Sequence, residues 1–173
     1  KLLAVVLTGA MALTLLTACG SNAVTEKDIA DAMNDMAKAA EEDITFTPRA
    51  KEREMAKAIA ALSDEDLKEL EESLKNSSLP EKAKEILGIN AGVANANNFV
   101  WCGATYTDEL GTSGQALNFM TQVMDKSANA DKLRGKNPAD DRYMGTALYK
   151  TVDENGKQVT KRIIVVTAEA VDE

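Results

Sequence analysis

Histidine is absent from all 173 residues of this chain, and its absence narrows the possible chemistry. Without an imidazole the chain cannot form a Ser-His-Asp or Cys-His nucleophile system, a histidine-containing zinc site or an imidazole proton shuttle. Basic residues are also outnumbered by acidic ones, since the chain has 20 Lys and Arg and 28 Asp and Glu, which gives a formal net charge of −8. Nucleic-acid binding needs clustered basic side chains that displace counterions from phosphates, so we expect no nucleic-acid partner.

The first 18 residues have the order of a secretory signal peptide. Lys1 precedes an almost wholly apolar run over residues 2–16, which is shorter than the roughly 20 residues that a membrane-spanning helix needs. The run ends in Leu16-Thr17-Ala18-Cys19, which resembles the lipobox of bacterial lipoproteins. That resemblance implies cleavage just before Cys19, a diacylglycerol on its thiol and often an acyl chain such as palmitate on its new amino group. The alternative is an uncleaved buried helix with an incidental cysteine.

Lipidation at Cys19 predicts where the protein resides. Two or three acyl chains anchor a protein stably, so residues 19–24 become a short lipidated tether and the membrane is a partner of this end. We expect the body on the cell membrane or outer membrane, facing outside the cytoplasm. Cys102 then has no intramolecular disulfide partner, and a lone thiol in an oxidising compartment is safest when it is buried.

Residues 25–88 are predicted to form short amphipathic helices, because their apolar residues recur with a 3.6-residue period. Thr25 and Ser63 are expected N-caps. Thr47 is a third expected N-cap, with Pro48 as the first residue of its helix. The apolar faces use Ala, Met and Leu with almost no aromatics, which favours close helix–helix contacts over a ligand cavity.

Residues 89–173 are predicted to form an α+β core. Phe99 to Tyr106 is β-prone. Thr112-Ser113-Gly114-Gln115 matches a capping box at the start of a helix. Arg142 to Thr151 and Gln158 to Val171 form the clearest hairpin, with positive φ angles expected at Asn155-Gly156 in its turn.

The predicted fold class is therefore α+β. It consists of an N-terminal group of short amphipathic helices, followed by an antiparallel sheet with a packed helix. The tether, the helical region and the α+β core follow the signal peptide in that order.

Few residues in the chain have the pattern of a chemical site. The acidic runs Glu41-Glu42-Asp43, Asp64-Glu65-Asp66 and Glu71-Glu72 are predicted to be solvated helix surfaces and ends. Asp153 to Gly156 is similar to part of a calcium loop, but position 162 is Arg where an EF-hand needs Glu. Cys102 lacks a base to activate it and is expected in the core beside Val100 and Ala104. We assign no catalytic, cofactor-binding or metal-binding residue, and no cofactor.

Part of the second half resembles a known family. The helix at 115–126, the stretch from Ser127 to Leu133, the strand from Tyr143 to Tyr149 and the final strand at 162–168 are similar to the C-terminal half of a CAP domain. CAP domains form the superfamily of cysteine-rich secretory and pathogenesis-related proteins. The resemblance implies an extracytoplasmic α-β-α sandwich, often lipoprotein-linked in bacteria. The cleft histidines of the family have no counterpart here, so the resemblance implies no site residue.

Together these patterns predict a lipid-anchored extracytoplasmic binding or scaffolding protein of a bacterial cell envelope. We expect it not to be an enzyme, and to meet an envelope protein or a cell-wall partner of unknown identity. The alternative is a degenerate CAP-like domain, or a small envelope hydrolase that works through carboxylates alone. Acids that converge in a cleft would favour the hydrolase, and acids spread over helix faces would favour the binding protein.

Overall fold

A computed structural model describes residues 24–76, 78–90, 92–107, 110–124 and 127–172 of the chain. The predicted signal peptide, the lipobox and Cys19 lie outside these ranges. No helix within them combines the length and apolar character that crossing a membrane would require.

The described ranges contain five α-helices and one short 3₁₀ turn. The helices are α1 (Glu26–Ala39), α2 (Ala50–Ala60), α3 (Asp64–Lys75), α4 (Glu81–Leu87) and α5 (Thr112–Val123), and the 3₁₀ turn is Ala130–Lys132. The predicted caps at Thr25 and Ser63 are confirmed: the Thr25 hydroxyl accepts from the backbone N–H of Asp28, and Ser63 accepts from Asp66. These caps satisfy donors that a helix leaves unpaired in its first turn.

Within the described residues four strands form one sheet, and this sheet together with the helices confirms the α+β class. The strands are β1 (Thr45–Pro48), β2 (Asn98–Tyr106), β3 (Lys136–Val152) and β4 (Gln158–Asp172), in the spatial order β1-β3-β4-β2. The predicted C-terminal hairpin is confirmed as β3 and β4, which pair antiparallel as far as Val152 and Gln158. Strand β2 runs antiparallel to β4, which confirms the β-prone segment.

The sheet is mixed rather than wholly antiparallel, because β1 runs parallel to β3. This strand takes the place of the helix start predicted at Thr47 and Pro48, and that prediction is wrong. Phe46 is buried, its N–H donates to Asn34 Oδ1, and its carbonyl accepts from the same amide. The proline is tolerated because β1 lies at the edge of the sheet. Helix α2 begins at Ala50 after Arg49.

The capping box predicted at Thr112 is also wrong. Thr112 is the first helical residue, Gly111 occupies the N-cap position, and no side chain bonds to the helix start. The amide of Gln115 instead donates to the carbonyl of Leu110 and accepts from Arg162 on β4. The Gln115 side chain, which the local pattern predicted to cap the helix, therefore bonds to Arg162 on a distant strand instead.

Helices cover both faces of the sheet. Alternate residues of each strand point to opposite faces, so Trp101 packs in the core under α1 and α5 while Cys102 packs in the core under α2, α3 and α4. Gly145 lets α2 approach β3 closely, since a Cβ there would lie 2.0 Å from the backbone nitrogen of Arg53. The site described next lies on the α1 and α5 side.

Candidate functional site

The clearest candidate site is a cavity of about 130 Å³ beneath the C-terminal ends of α1 and α5, hereafter the Arg142 cavity. Its described lining is mostly apolar: Met36, Ala37, Ala40, Ile44, Phe46, Met120 and Met124, together with Glu42 and Arg142. A ligand cavity between these Ala- and Met-faced helices is contrary to the expectation from composition. The unbranched methionine side chains in this lining can adopt several rotamers around the space.

Strand β3 places Arg142 in this cavity. Arg142 is paired with Phe46 of β1 and Ala168 of β4, and the register of β3 against β4 shifts between Pro138 and Arg142. Such a bulge changes the direction of the side chains that follow it. Beyond the bulge Arg142 shares the inward face with Met144, so the backbone directs a charged side chain into the core.

The side chain of Arg142 is largely buried, and its guanidinium has no polar partner among the described residues. The residue is 9% exposed, and its Nε has no hydrogen-bond partner. No hydrogen bond or ion pair joins it to any residue that the structure describes. The guanidinium carbon Cζ of Arg142 lies 4.9 Å from the ring centroid of Trp101 and 5.9 Å from that of Phe46, which are cation–π distances. Burial lowers the pKa of Arg142, an effect that the charges of Asp140 and Glu42 oppose.

Arg162 shows how this fold treats another buried guanidinium. Arg162 is 5% exposed, and all three of its nitrogens donate. Nε bonds to Gln115 at 2.9 Å, and the two terminal nitrogens bond to Thr146 at 2.9 Å and to the carbonyl of Val24 at 2.7 Å. Arg162 therefore joins α5, the sheet and the segment just before α1, and each of its three nitrogens has a protein partner.

A second cavity, of about 180 Å³, lies between α3, α5 and the edge of β2. Its buried polar groups are already paired. Glu71 accepts from the hydroxyl of Tyr149 and from Lys161, each at 2.7 Å. Burial, followed by the hydrogen bond to Glu71, raises the pKa of Tyr149 well above its usual range. This triad therefore binds α3 to the sheet and offers a ligand less than the Arg142 cavity does.

Glu52 is the most deeply buried acid among the described residues, at 0% exposure. Its carboxylate accepts from Arg49 and from the hydroxyl of Thr167 at 2.7 Å. Arg49 also lies over the ring of Tyr143, 3.7 Å from its centroid. Burial acts to raise the pKa of Glu52, but these hydrogen bonds outweigh it and the pKa is lowered. Glu52, Arg49 and Thr167 thus link α2 to the sheet through hydrogen bonds.

The cysteine and the acidic residues that the sequence analysis considered as site candidates lie at separate places in the fold. Cys102 is buried, as predicted, and desolvation raises the pKa of its thiol to about 12. Asp66 is paired with Lys82, and Asp153 accepts from two backbone N–H groups of its own turn. Within the described ranges no three Asp, Glu or Cys side chains gather closely enough to hold a metal ion.

Sequence reasoning missed the Arg142 cavity, although one signal for it was present. Arg142, Met144 and Thr146 alternate along a predicted strand whose inward face is apolar, so a charged residue occurs at an inward position. The bulge and the two helix ends that complete the cavity depend on contacts between distant parts of the chain. Comparisons with models of known protein families, with curated proteins and with solved structures found no match for this chain.

Proposed function

We propose that this chain is a lipid-anchored extracytoplasmic binding protein of a bacterial cell envelope that acts without catalysis. The lipobox-like Leu16-Thr17-Ala18-Cys19 supports the location. The observation that carries the binding role is the Arg142 cavity, in which a buried cation without a polar partner faces apolar walls. Its partners are the membrane, through the lipid anchor, and an envelope or cell-wall component.

An unpaired buried cation is unfavourable for folding, because desolvation of an ion costs several kcal/mol in a real protein. Buried polar groups are normally hydrogen-bonded, and the exceptions concentrate at functional sites. A ligand that reached the guanidinium of Arg142 would supply the hydrogen bonds that the described residues do not. The cavity is therefore better suited to binding than to holding the fold together.

The alternative of a carboxylate-only hydrolase has less support at this site. Hydrolysis by carboxylates uses two acids on opposite sides of the scissile bond. Among the described residues that line the Arg142 cavity, Glu42 is the single acid. The resemblance to the CAP superfamily stays a prediction, since helix layers on both faces of a sheet are found in many unrelated proteins.

The anchor is tested by expressing the full chain in a bacterium as wild type and as Cys19→Ala. The wild type should enter the detergent phase and carry acyl chains by mass spectrometry, whereas Cys19→Ala should remain in the aqueous phase. Ser21→Ala is the control, because it changes a neighbouring residue and keeps the thiol. Equal partition of all three proteins would contradict the location.

The cavity is tested with benzene on the purified full chain. A ligand that binds the folded state raises the melting temperature in a saturable way. Ala40→Leu should abolish the rise because it fills the mouth of the cavity, and the exposed Ala58→Leu should not. If neither benzene nor the carboxylate probes described below shift the melting temperature of the wild type, the binding proposal is wrong.

A further inference from the structure

We infer that the Arg142 cavity binds a small organic anion, namely a monocarboxylate with a compact apolar body of about six heavy atoms. The inference rests on the proposed binding function and names the ligand class of that same site. It combines three features of the cavity: its unpartnered cation, its volume and its apolar walls.

The cation determines the charged end of the ligand. A guanidinium is a planar fork whose parallel N–H groups match the two oxygens of a carboxylate. Arg142 is 9% exposed and its guanidinium has no hydrogen-bond partner among the described residues. Its Nε is fully buried, so the terminal N–H groups are the ones open to a ligand. Trp101 and Phe46 contact the guanidinium through cation–π interactions, which use none of its N–H groups as hydrogen-bond donors to a polar atom. The indole N–H of Trp101, whose ring centroid lies 4.9 Å from the guanidinium carbon, is also buried without a partner.

The other arginines that the structure describes show that the lack of a polar partner is particular to Arg142. Arg162, equally buried on the same face of the sheet, has protein partners for all three nitrogens. Arg49 is paired with Glu52, and Arg53 is paired with Glu26. Arg142 is the arginine that is both buried and unpaired among those the structure describes.

The volume and walls determine the apolar end. The cavity measures about 130 Å³, and an apolar cavity of roughly 150 Å³ in an engineered protein holds one benzene molecule. The space therefore suits about six heavy atoms, which excludes a long acyl chain lying wholly inside. Met36, Met120 and Met124 can adjust their rotamers around different small bodies.

Two acidic side chains near Arg142 affect how strongly an anion should bind. Glu42 and Asp140 are both exposed, and they attract Arg142 through space without a hydrogen bond. Solvent screens that attraction, whereas a bound carboxylate would make direct, buried hydrogen bonds. Because Glu42 lines the cavity, it repels an anionic ligand. Removing its charge should strengthen binding.

The test is isothermal titration of the full chain in a non-ionic detergent with three probes that each contain six carbon atoms in an unbranched chain: hexanoate, hexan-1-ol and hexylammonium. Hexanoate should bind at least about tenfold more tightly than hexan-1-ol, and hexylammonium should bind most weakly. Arg142→Met should reduce hexanoate affinity about tenfold or more, and Arg142→Lys should reduce it less because the charge remains while the fork is lost. Glu42→Gln should bind hexanoate more tightly.

The matched control is Arg134→Met, which removes one positive charge from an exposed side chain away from the cavity. It should leave hexanoate affinity unchanged. If hexanoate and hexan-1-ol bind the wild type equally, or if Arg142→Met binds hexanoate like the wild type, the anion inference is wrong while the binding function stands. If Arg142→Met fails to fold, the comparison of probes on the wild type and on Glu42→Gln decides the question alone.

Discussion

Replacing Arg142 by methionine should make the unliganded protein more stable. The substitution removes a buried charge without hydrogen-bond partners and keeps an unbranched side chain between Trp101 and Phe46. The desolvation cost of the charge, several kcal/mol, disappears. The cation–π contacts, about 0.5–2 kcal/mol each, and the screened attraction of the nearby acids disappear with it.

These opposing contributions leave a modest net gain. We expect the free energy of unfolding to rise by about 1–2 kcal/mol, which is comparable to the gain of up to roughly 4 kcal/mol that can follow when a buried ion pair is replaced by apolar residues of similar volume. For a chain of this size the melting temperature should rise by about 2–8 °C. The comparison is made without ligand, because a bound carboxylate stabilises the wild type by mass action.

The measurement is urea unfolding followed by far-UV circular dichroism. Fluorescence is less suitable, because Trp101 is the only tryptophan and contacts the mutated side chain. Arg162→Met is the control, and it should lose at least about 2 kcal/mol because it leaves partners on Gln115, Thr146 and Val24 unpaired. A loss of about 1 kcal/mol or more in Arg142→Met would refute the reasoning, since the guanidinium would then stabilise the fold.

Three further predictions concern single residues elsewhere in the fold. Native Cys102 should react slowly with a thiol reagent at neutral pH, because desolvation raises its pKa to about 12, and unfolding should restore the rate of a free thiol; a faster native reaction would show a cation that lowers the pKa. Gly156→Val should cost on the order of 1 kcal/mol or more in a thermal melt, because Gly156 has φ 79° and a β-branched residue is strained there, and an unchanged melt would contradict that turn geometry. Glu52 has a lowered pKa in the folded state, so its stabilising effect is fully present above the unfolded pKa of about 4.3 and is lost as the pH falls through the folded value. Unfolding free energies measured between pH 7 and pH 3 should therefore fall more steeply in the wild type than in Glu52→Gln, and equal slopes would show that Arg49 and Thr167 do not favour the carboxylate.

Local sequence patterns predicted the elements whose stabilising groups lie close together in the chain. The capping residues Thr25 and Ser63 bond to backbone groups three residues away, so composition and spacing were sufficient. The β3–β4 hairpin joins neighbouring segments through a short turn, in which Gly156 has the expected positive φ while Asn155 does not. Alternation around Cys102 likewise predicted which of its neighbours share a face.

The elements that depend on distant partners were decided by the tertiary structure. Phe46 lies in a strand rather than before a helix because β3, almost a hundred residues later, supplies a parallel partner. Gln115 bonds to Arg162 rather than capping α5 for the same reason. Periodicity reports which face of an element is apolar, but it does not report which other face will cover it.

The Arg142 cavity shows most clearly what the sequence predicts and what only the tertiary structure decides. The sequence alone determined the absence of imidazole chemistry, the lipobox-like motif and the strand that contains Arg142. Whether Arg142 would find a partner, as Arg162 does, could not be read from its neighbours in the chain, because the partners of Arg162 on Gln115, Thr146 and Val24 are all distant in sequence. The difference arises where α1 and α5 end, since pairing of a buried charge depends on three-dimensional distances between groups that no local interaction brings together.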